Sequence, residues 1–275
     1  MPEASNAIAA QIPKLAPGID DTLTMSAISV VAGILTNILH EGVGHGLTAL
    51  LTGAKSGVLT TVAWSSTFDS RLVEAGGTLA NLAGAVLFWL ALRSARHSSI
   101  AIRYFLLIAC AFNLFTGTGY FLFSGLTNFG DWAAVISRLQ PRWLWLALLV
   151  VTGASSYFAA AVVVGIGLVT YVGIPRDQQR RLRKLTIVPY FCAILLASVA
   201  GLLNPLGLQL LWQSALPATA GGQSGLLWLQ YYIPRGTEPN VTSPELDRSY
   251  MWVGVGAVLT PLYVVVLGRG VVLHL

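Results

Sequence analysis

The residues best equipped for chemistry in this chain are His40-Glu41-Gly42-Val43-Gly44-His45, which put two imidazoles and a carboxylate within six positions. They lie about midway along an apolar stretch, roughly 24–52. A charge at bilayer depth costs at least about 2.5–3.5 kcal/mol, so a helix that only packs gains nothing by carrying three ionisable groups there. Two readings compete. In one, Gly42, Gly44 and Gly46 admit a close neighbouring helix and the histidines are satisfied by it. In the other, the set binds a metal or handles protons. Two histidines on one helix share a metal when they are four apart, about 40° around the axis. Five apart, as here, they diverge by about 140° on a regular helix. One extra residue in a turn, a π-bulge, would restore a common face, and such bulges cluster at functional sites. The three glycines place no side chain in the way of that distortion. Alternatively, Glu41 and His45, four apart, share the face and His40 is a neighbour.

The elements that must position these groups are membrane spans. Of the 275 residues, 55% are hydrophobic and only 10% charged, where a soluble domain carries roughly 25% charged side chains. Mean hydropathy is +0.71. Disorder and a soluble globular enzyme are both excluded by this composition. The net charge of +5 comes from basic residues at segment ends rather than a stripe, which argues against a nucleic-acid partner. Cys110 and Cys192 sit in apolar segments as small hydrophobes, and the first 20 residues lack the pattern of a cleavable signal.

Six stretches are long enough to cross a bilayer: 24–52, 72–92, 101–125, 143–173, 185–213 and 250–271. The expected fold is therefore an all-α polytopic membrane protein of about six transmembrane helices, with a short β-hairpin after the first. Residues 1–23 form an N-terminal segment, 24–140 a three-helix core, and 141–275 additional helices with a loop near 214–249. Pro189 and Pro205 should interrupt the fifth span. Gly225–Pro234, with Trp228, Tyr231 and Tyr232, reads as an interfacial or re-entrant element rather than a seventh span. Trp143, Trp145, Trp212 and Trp252 fall near helix ends, as an aromatic belt places them. Basic residues cluster after the second span (Arg93, Arg96, Arg103) and after the fourth (Arg176, Arg180, Arg181, Arg183, Lys184). This pattern assigns both loops, and with them both chain termini, to the cytoplasm. The sequon Asn240-Val241-Thr242 would then face outward.

Residues downstream of the histidine motif extend the pattern. His40-Glu41 with Gly44-His45-Gly46 resembles the His-Glu-x-x-His zinc signature with one residue inserted. Thr52-Gly53-Ala54-Lys55 and the run Val58–Trp64 suit a hairpin. Gly76-Gly77-Thr78-Leu79-Ala80-Asn81 opens the second span, Asn113 lies within the third, and Asn128-Phe129-Gly130-Asp131-Trp132 comes after it. Over about residues 30–140 the chain resembles the core of the site-2 protease family of intramembrane zinc metallopeptidases. It departs from that core in having Thr78 where the family has proline and in placing Gly130 before Asp131 rather than after it. The resemblance implies zinc held by His40, His45 and Asp131, and Glu41 as the general base. It also implies a transmembrane or membrane-adjacent protein substrate whose backbone Asn81 and Asn113 would contact.

The residues keep other roles open. Asp131 could instead cap the helix that starts at Trp132, Asn81 and Asn113 could bridge helices, and Glu74 is the reserve third ligand. His97 and His274 read as solvated surface residues. An ion- or proton-handling transporter using His40, Glu41 and His45, or a protease-like scaffold without activity, are the competing functions.

Overall fold

The computed structural model describes residues 20–173, 179–204, 209, 211–233 and 244–274. Most of the N-terminal segment, Arg176, Pro205, Pro234 and the Asn240-Val241-Thr242 sequon lie outside the described residues.

The first span, residues 22–52, is one continuous helical rod of three parts: α1 (Thr22–Asn37), a π-helical segment (Ile38–Leu47) and α2 (Thr48–Thr52). Asp21 caps its start by accepting from Thr24 N at 2.8 Å, and Gly53 ends it at φ +141°, a backbone conformation that L side chains rarely adopt. Strands β1 (Ser56–Leu59) and β2 (Trp64–Ser65) then pair antiparallel, Val58 opposite Ser65 and Leu59 opposite Trp64. Helices α3 (Arg71–Ser94) and α4 (Ile100–Thr127) come next, capped by the hydroxyls of Ser70 and Ser99. A short α5 (Asp131–Val135) precedes α6 (Arg142–Gly167), which continues through a π turn to Val172. After α7 (Gln179–Leu202) the chain runs through irregular turns into α8 (Gly225–Tyr232), then α9 (Tyr250–Pro261), extended by a π-helical stretch to Leu267, and strand β3 (Val271–His274).

Among the described residues six helices are long and apolar enough to cross a membrane: Thr22–Thr52, Arg71–Ser94, Ile100–Thr127, Arg142–Val172, Gln179–Leu202 and Tyr250–Leu267. The protein is a helical multi-pass membrane protein. Of these spans, α4 is the most deeply buried. Leu107, Ile108, Phe112 and Phe115 on it pack with Ile28 and Ala32 of α1, Ala161 and Val164 of α6, Leu185 of α7 and Leu226 of α8. The apolar side chains outside this core, such as Leu87, Val151, Leu195 and Val258, point outward, as lipid-facing positions should.

Two sequence expectations are corrected by the packing. The fifth span starts earlier than expected, because Arg181, Arg183 and Lys184 are within α7 rather than in a loop. Their charges are met there: Arg181 grips the buried Asp20 carboxylate at 2.7 and 3.0 Å, Arg183 donates to Gln230 Oε1 at 2.7 Å, and Lys184 donates to the Asp20 carbonyl. Pro189 is buried inside this helix without ending it.

The second correction concerns residues 211–233, which run the whole way back through the bundle. At one end Asn204 donates to Thr60 Oγ1 and Ser214 to the Val62 carbonyl. Midway, Gln223 donates to the Phe112 carbonyl and Thr116 of α4. At the other end Gln230 meets Arg183. This stretch makes a seventh pass through the bundle, assembled from π, 3-10 and α turns. Gln213, Ser214, Pro217, Gly221, Gly222 and Gln223 interrupt its apolar run, which is why hydropathy does not reveal it.

A further feature follows from the second. Asp21 N donates to the Leu246 carbonyl and Ser249 N to Thr24 Oγ1, so residues 244–249 sit beside the start of α1. β3, by contrast, joins β1 with Val58 opposite Val272, giving the sheet order β2-β1-β3. The described beginning and end of the chain therefore lie at opposite ends of the bundle. His274 is exposed but is part of a strand.

Candidate metal centre

The π-helical segment is what brings the two histidines together. Its i→i+5 hydrogen bonding stacks residues five apart, so His40 and His45 project to one side. Their Nε2 atoms are 3.3 Å apart. The rest of each ring is fixed by an acceptor. His40 Nδ1 donates to Asn81 Oδ1 at 2.7 Å, and His45 Nδ1 donates to the Val73 carbonyl at 2.7 Å. Asn81 cannot be turned around, because its Nδ2 donates to the Thr36 carbonyl and to Asn113 Oδ1. With both Nδ1 atoms serving as donors, both Nε2 atoms carry free lone pairs.

Asp131 faces those lone pairs. Its Oδ2 lies 3.3 Å from His40 Nε2 and 3.4 Å from His45 Nε2, and no hydrogen bond reaches it. With Nδ1 the donor on both rings, three buried atoms able to act as ligands thus converge. Ligand atoms about 2.0–2.1 Å from a tetrahedral zinc lie about 3.3–3.4 Å from one another, so these three separations are those of one face of such a site. His40, His45 and Asp131 are the described residues whose ligand atoms cluster in this way. Asp131 begins α5 at the residue after its cap, Gly130, and makes no capping bond, so the capping role does not apply.

Space for an ion is kept by glycine. A Cβ on Gly77 of α3 would stand 2.6 Å from His40 Cε1 and 2.7 Å from His40 Nε2, and would press on His45 Nε2 as well. Gly44 and Gly76 allow the two backbones this approach, since a Cβ on Gly44 would lie 2.6 Å from the Gly76 carbonyl oxygen. The residue set, its tautomers and this cradle fit a divalent zinc. The site lies roughly 9 Å along α3 from its start, at 1.5 Å per residue.

The acid is held from two sides. Trp132 Nε1 donates to Thr78 Oγ1 of α3 at 2.9 Å. Arg142, at the start of α6, donates to Asn128 Oδ1 and to the Ala133 carbonyl, spanning the loop on which Asp131 sits. On the far side Tyr120 stacks on His40 with ring centroids 4.6 Å apart.

Glu41 is buried, and its Oε2 accepts from the Trp64 backbone N–H of β2 at 3.1 Å. Together with His45 and Asp131 it lines a cavity of about 680 Å³. The cavity is walled by the 62–69 loop, the end of α4, and residues 213–224 of the seventh pass. Glu74 and Asp69 also line it, but Glu74 does not join the ligand cluster. Asn81 and Asn113 depart from expectation. Both are fully buried, their amides are used on His40, Thr36, Ala109 and each other, and neither reaches the cavity wall. Asn81 holds the His40 ring, and Asn113 holds Asn81.

Sequence reasoning missed Tyr120, Trp64, Thr78 and Arg142. Tyr120 comes seven residues after Asn113 on the same helical face, a usable signal. The backbone donor at Trp64 left none. Comparison with protein families, with curated proteins and with solved structures finds no match for this chain.

Proposed function

We propose that this protein is an intramembrane zinc metallopeptidase resembling the site-2 proteases, hydrolysing a peptide bond in or beside a membrane-spanning segment. The observation that carries this reading is the triangle of His40 Nε2, His45 Nε2 and Asp131 Oδ2 at 3.3–3.4 Å, opening beside Glu41 on a large cavity within the span region. Zinc held by these three residues would supply Lewis acidity toward a carbonyl oxygen and would make water acidic near neutral pH.

The chain's own groups do the remainder. Glu41, held by the Trp64 N–H, takes the proton of the attacking water and returns it to the leaving amine. Asn81 and Val73 keep both imidazoles in the tautomer that points Nε2 inward. The cavity holds an unwound stretch of substrate among Phe68, Phe123, Phe129 and the polar edge Ser65–Ser66, where an apolar segment and water can both be present. With loops rich in Arg and Lys at the end of the bundle where α1 starts, that end is cytoplasmic in this reading.

The test uses the purified full chain. After zinc loading and desalting, the wild type should hold about one zinc per chain, and His40→Ala, His45→Ala and Asp131→Asn should each lose it. Glu41→Gln should keep the metal and lower cleavage of a single-span reporter in liposomes by about a hundred- to ten-thousand-fold. Folded wild type that takes up no zinc would overturn the reading. Zinc-loaded protein that moves ions in a Glu41-dependent manner and cuts no reporter would favour a transporter instead.

A further inference from the structure

Glu41 also lines a second, smaller chamber of about 70 Å³ among α1, α4, α7 and the seventh pass, which adjoins the larger cavity at Glu41, Tyr120 and Ser214. Thr36, Asn37, Thr61, Thr116, Thr219 and Gln223 give it a polar lining, closed by Phe112, Leu196 and Tyr263. Two of its polar atoms are buried and have no protein partner, Thr61 Oγ1 and Gln223 Oε1, on residues only 6% and 3% exposed. Gln223 is not free to turn and mend this. Its Nε2 already donates to the Phe112 carbonyl at 3.3 Å and to Thr116 Oγ1 at 2.9 Å, which commits the other amide atom to the unpaired position.

An apolar cavity stays dry, but a polar one fills once it offers about 10–15 Å³ and two or more partners. This chamber exceeds that volume severalfold and offers two unpaired atoms on opposite elements. Leaving both bare deep in a helical bundle would be costly. We infer that the chamber is an ordered-water site, in which water bridges Gln223 Oε1 and Thr61 Oγ1 and solvates Glu41. Glu41 thereby has a solvent pool at its side. The use of that pool rests on the proteolytic reading of Glu41, whereas its existence does not.

Hydroxyl-radical footprinting by X-ray radiolysis of the full chain in detergent or nanodiscs tests this directly, because radicals form at bound water. Tyr263 lines the chamber and is 5% exposed. Tyr104 is fully buried, lines neither this chamber nor the open cavity, and donates its hydroxyl to the Leu185 carbonyl. Tyr263 should label several-fold faster than Tyr104, and Thr61→Val should bring it down toward the Tyr104 rate. Equal labelling of the two tyrosines in the wild type would overturn the inference, as would a Thr61→Val chain that labels Tyr263 undiminished. A chain that labels as expected yet cuts no reporter leaves the water site in place and removes only the proteolytic role of Glu41.

Discussion

Two imidazoles meet in this protein because single atoms elsewhere hold their back edges. The Asn81 oxygen and the Val73 carbonyl each fix one Nδ1, and the absent side chain of Gly77 leaves the space in front. Gly77→Ala is therefore expected to abolish zinc binding while the helices still form, since the added methyl would stand within van der Waals radii of both rings. Metal analysis together with circular dichroism checks this. Asn81→Ala acts from behind. It should lower zinc affinity by about 10–100-fold without emptying the site, as measured by competition with a chelating dye. His40, Glu41 and His45 were legible because ionisable groups are costly in an apolar helix. Asp131 was legible by its rarity in that stretch of chain. Tyr120 and Arg142 were not, because an aromatic or a basic residue near a span end has ordinary structural uses. Asn81 and Asn113 were legible as polar residues inside spans, and the structure buries both behind His40.

At the scale of elements, the inserted residue between the histidines is absorbed by ten residues of π-helix, Ile38–Leu47. The hydrogen-bond period changes so that a spacing of five does what a spacing of four does on an α-helix. That much was implied by the angle between the two rings. The length of the π segment was not, because it depends on how closely α3 packs at Gly44, Gly76 and Gly77. The β1–β2 hairpin was expected from the family resemblance, whereas β3 is missed when the last span is read through Gly268-Arg269-Gly270 to residue 271. Polar breaks likewise hid the seventh pass. Its middle is held by hydroxyls: Tyr157 donates to the Gly222 carbonyl at 2.6 Å and Tyr190 to that of Ala220 at 3.1 Å. Removing both, as Tyr157→Phe with Tyr190→Phe, is expected to lower the melting temperature by several degrees, from about 1 kcal/mol per lost bond.

For the whole molecule, seven passes make a topological prediction. Single cysteines at His97 and Asp247 should react with a membrane-impermeant thiol reagent from one side, and those at Lys55 and His274 from the other. Native Cys110 is buried and Cys192 partly so. Labelling of Asp247→Cys and Lys55→Cys from the same side would contradict the described path. The end carrying His97 and Asp247 is fastened by charge. The hydrogen bond from Arg248 holds the Asp21 carboxyl below its ordinary value of 3.8. A carboxyl held low contributes stability that is complete above that value and fades as pH falls through the lower, folded one. The difference in melting temperature between wild type and Asp21→Asn should therefore be present at neutral pH and shrink below pH 3.8. It should be small, because Arg248 is half exposed.

The pairing of β1 with β3 has a consequence for biogenesis. Ser56–Leu59 emerges early in translation, and the strand that completes its outer edge comes at the very end of the described residues. Until that strand is made, the hairpin that steadies Glu41 through Trp64 has one open flank. A chain still being inserted would thus hold Glu41 on a half-braced hairpin, and synthesis of Val271–His274 would complete the brace.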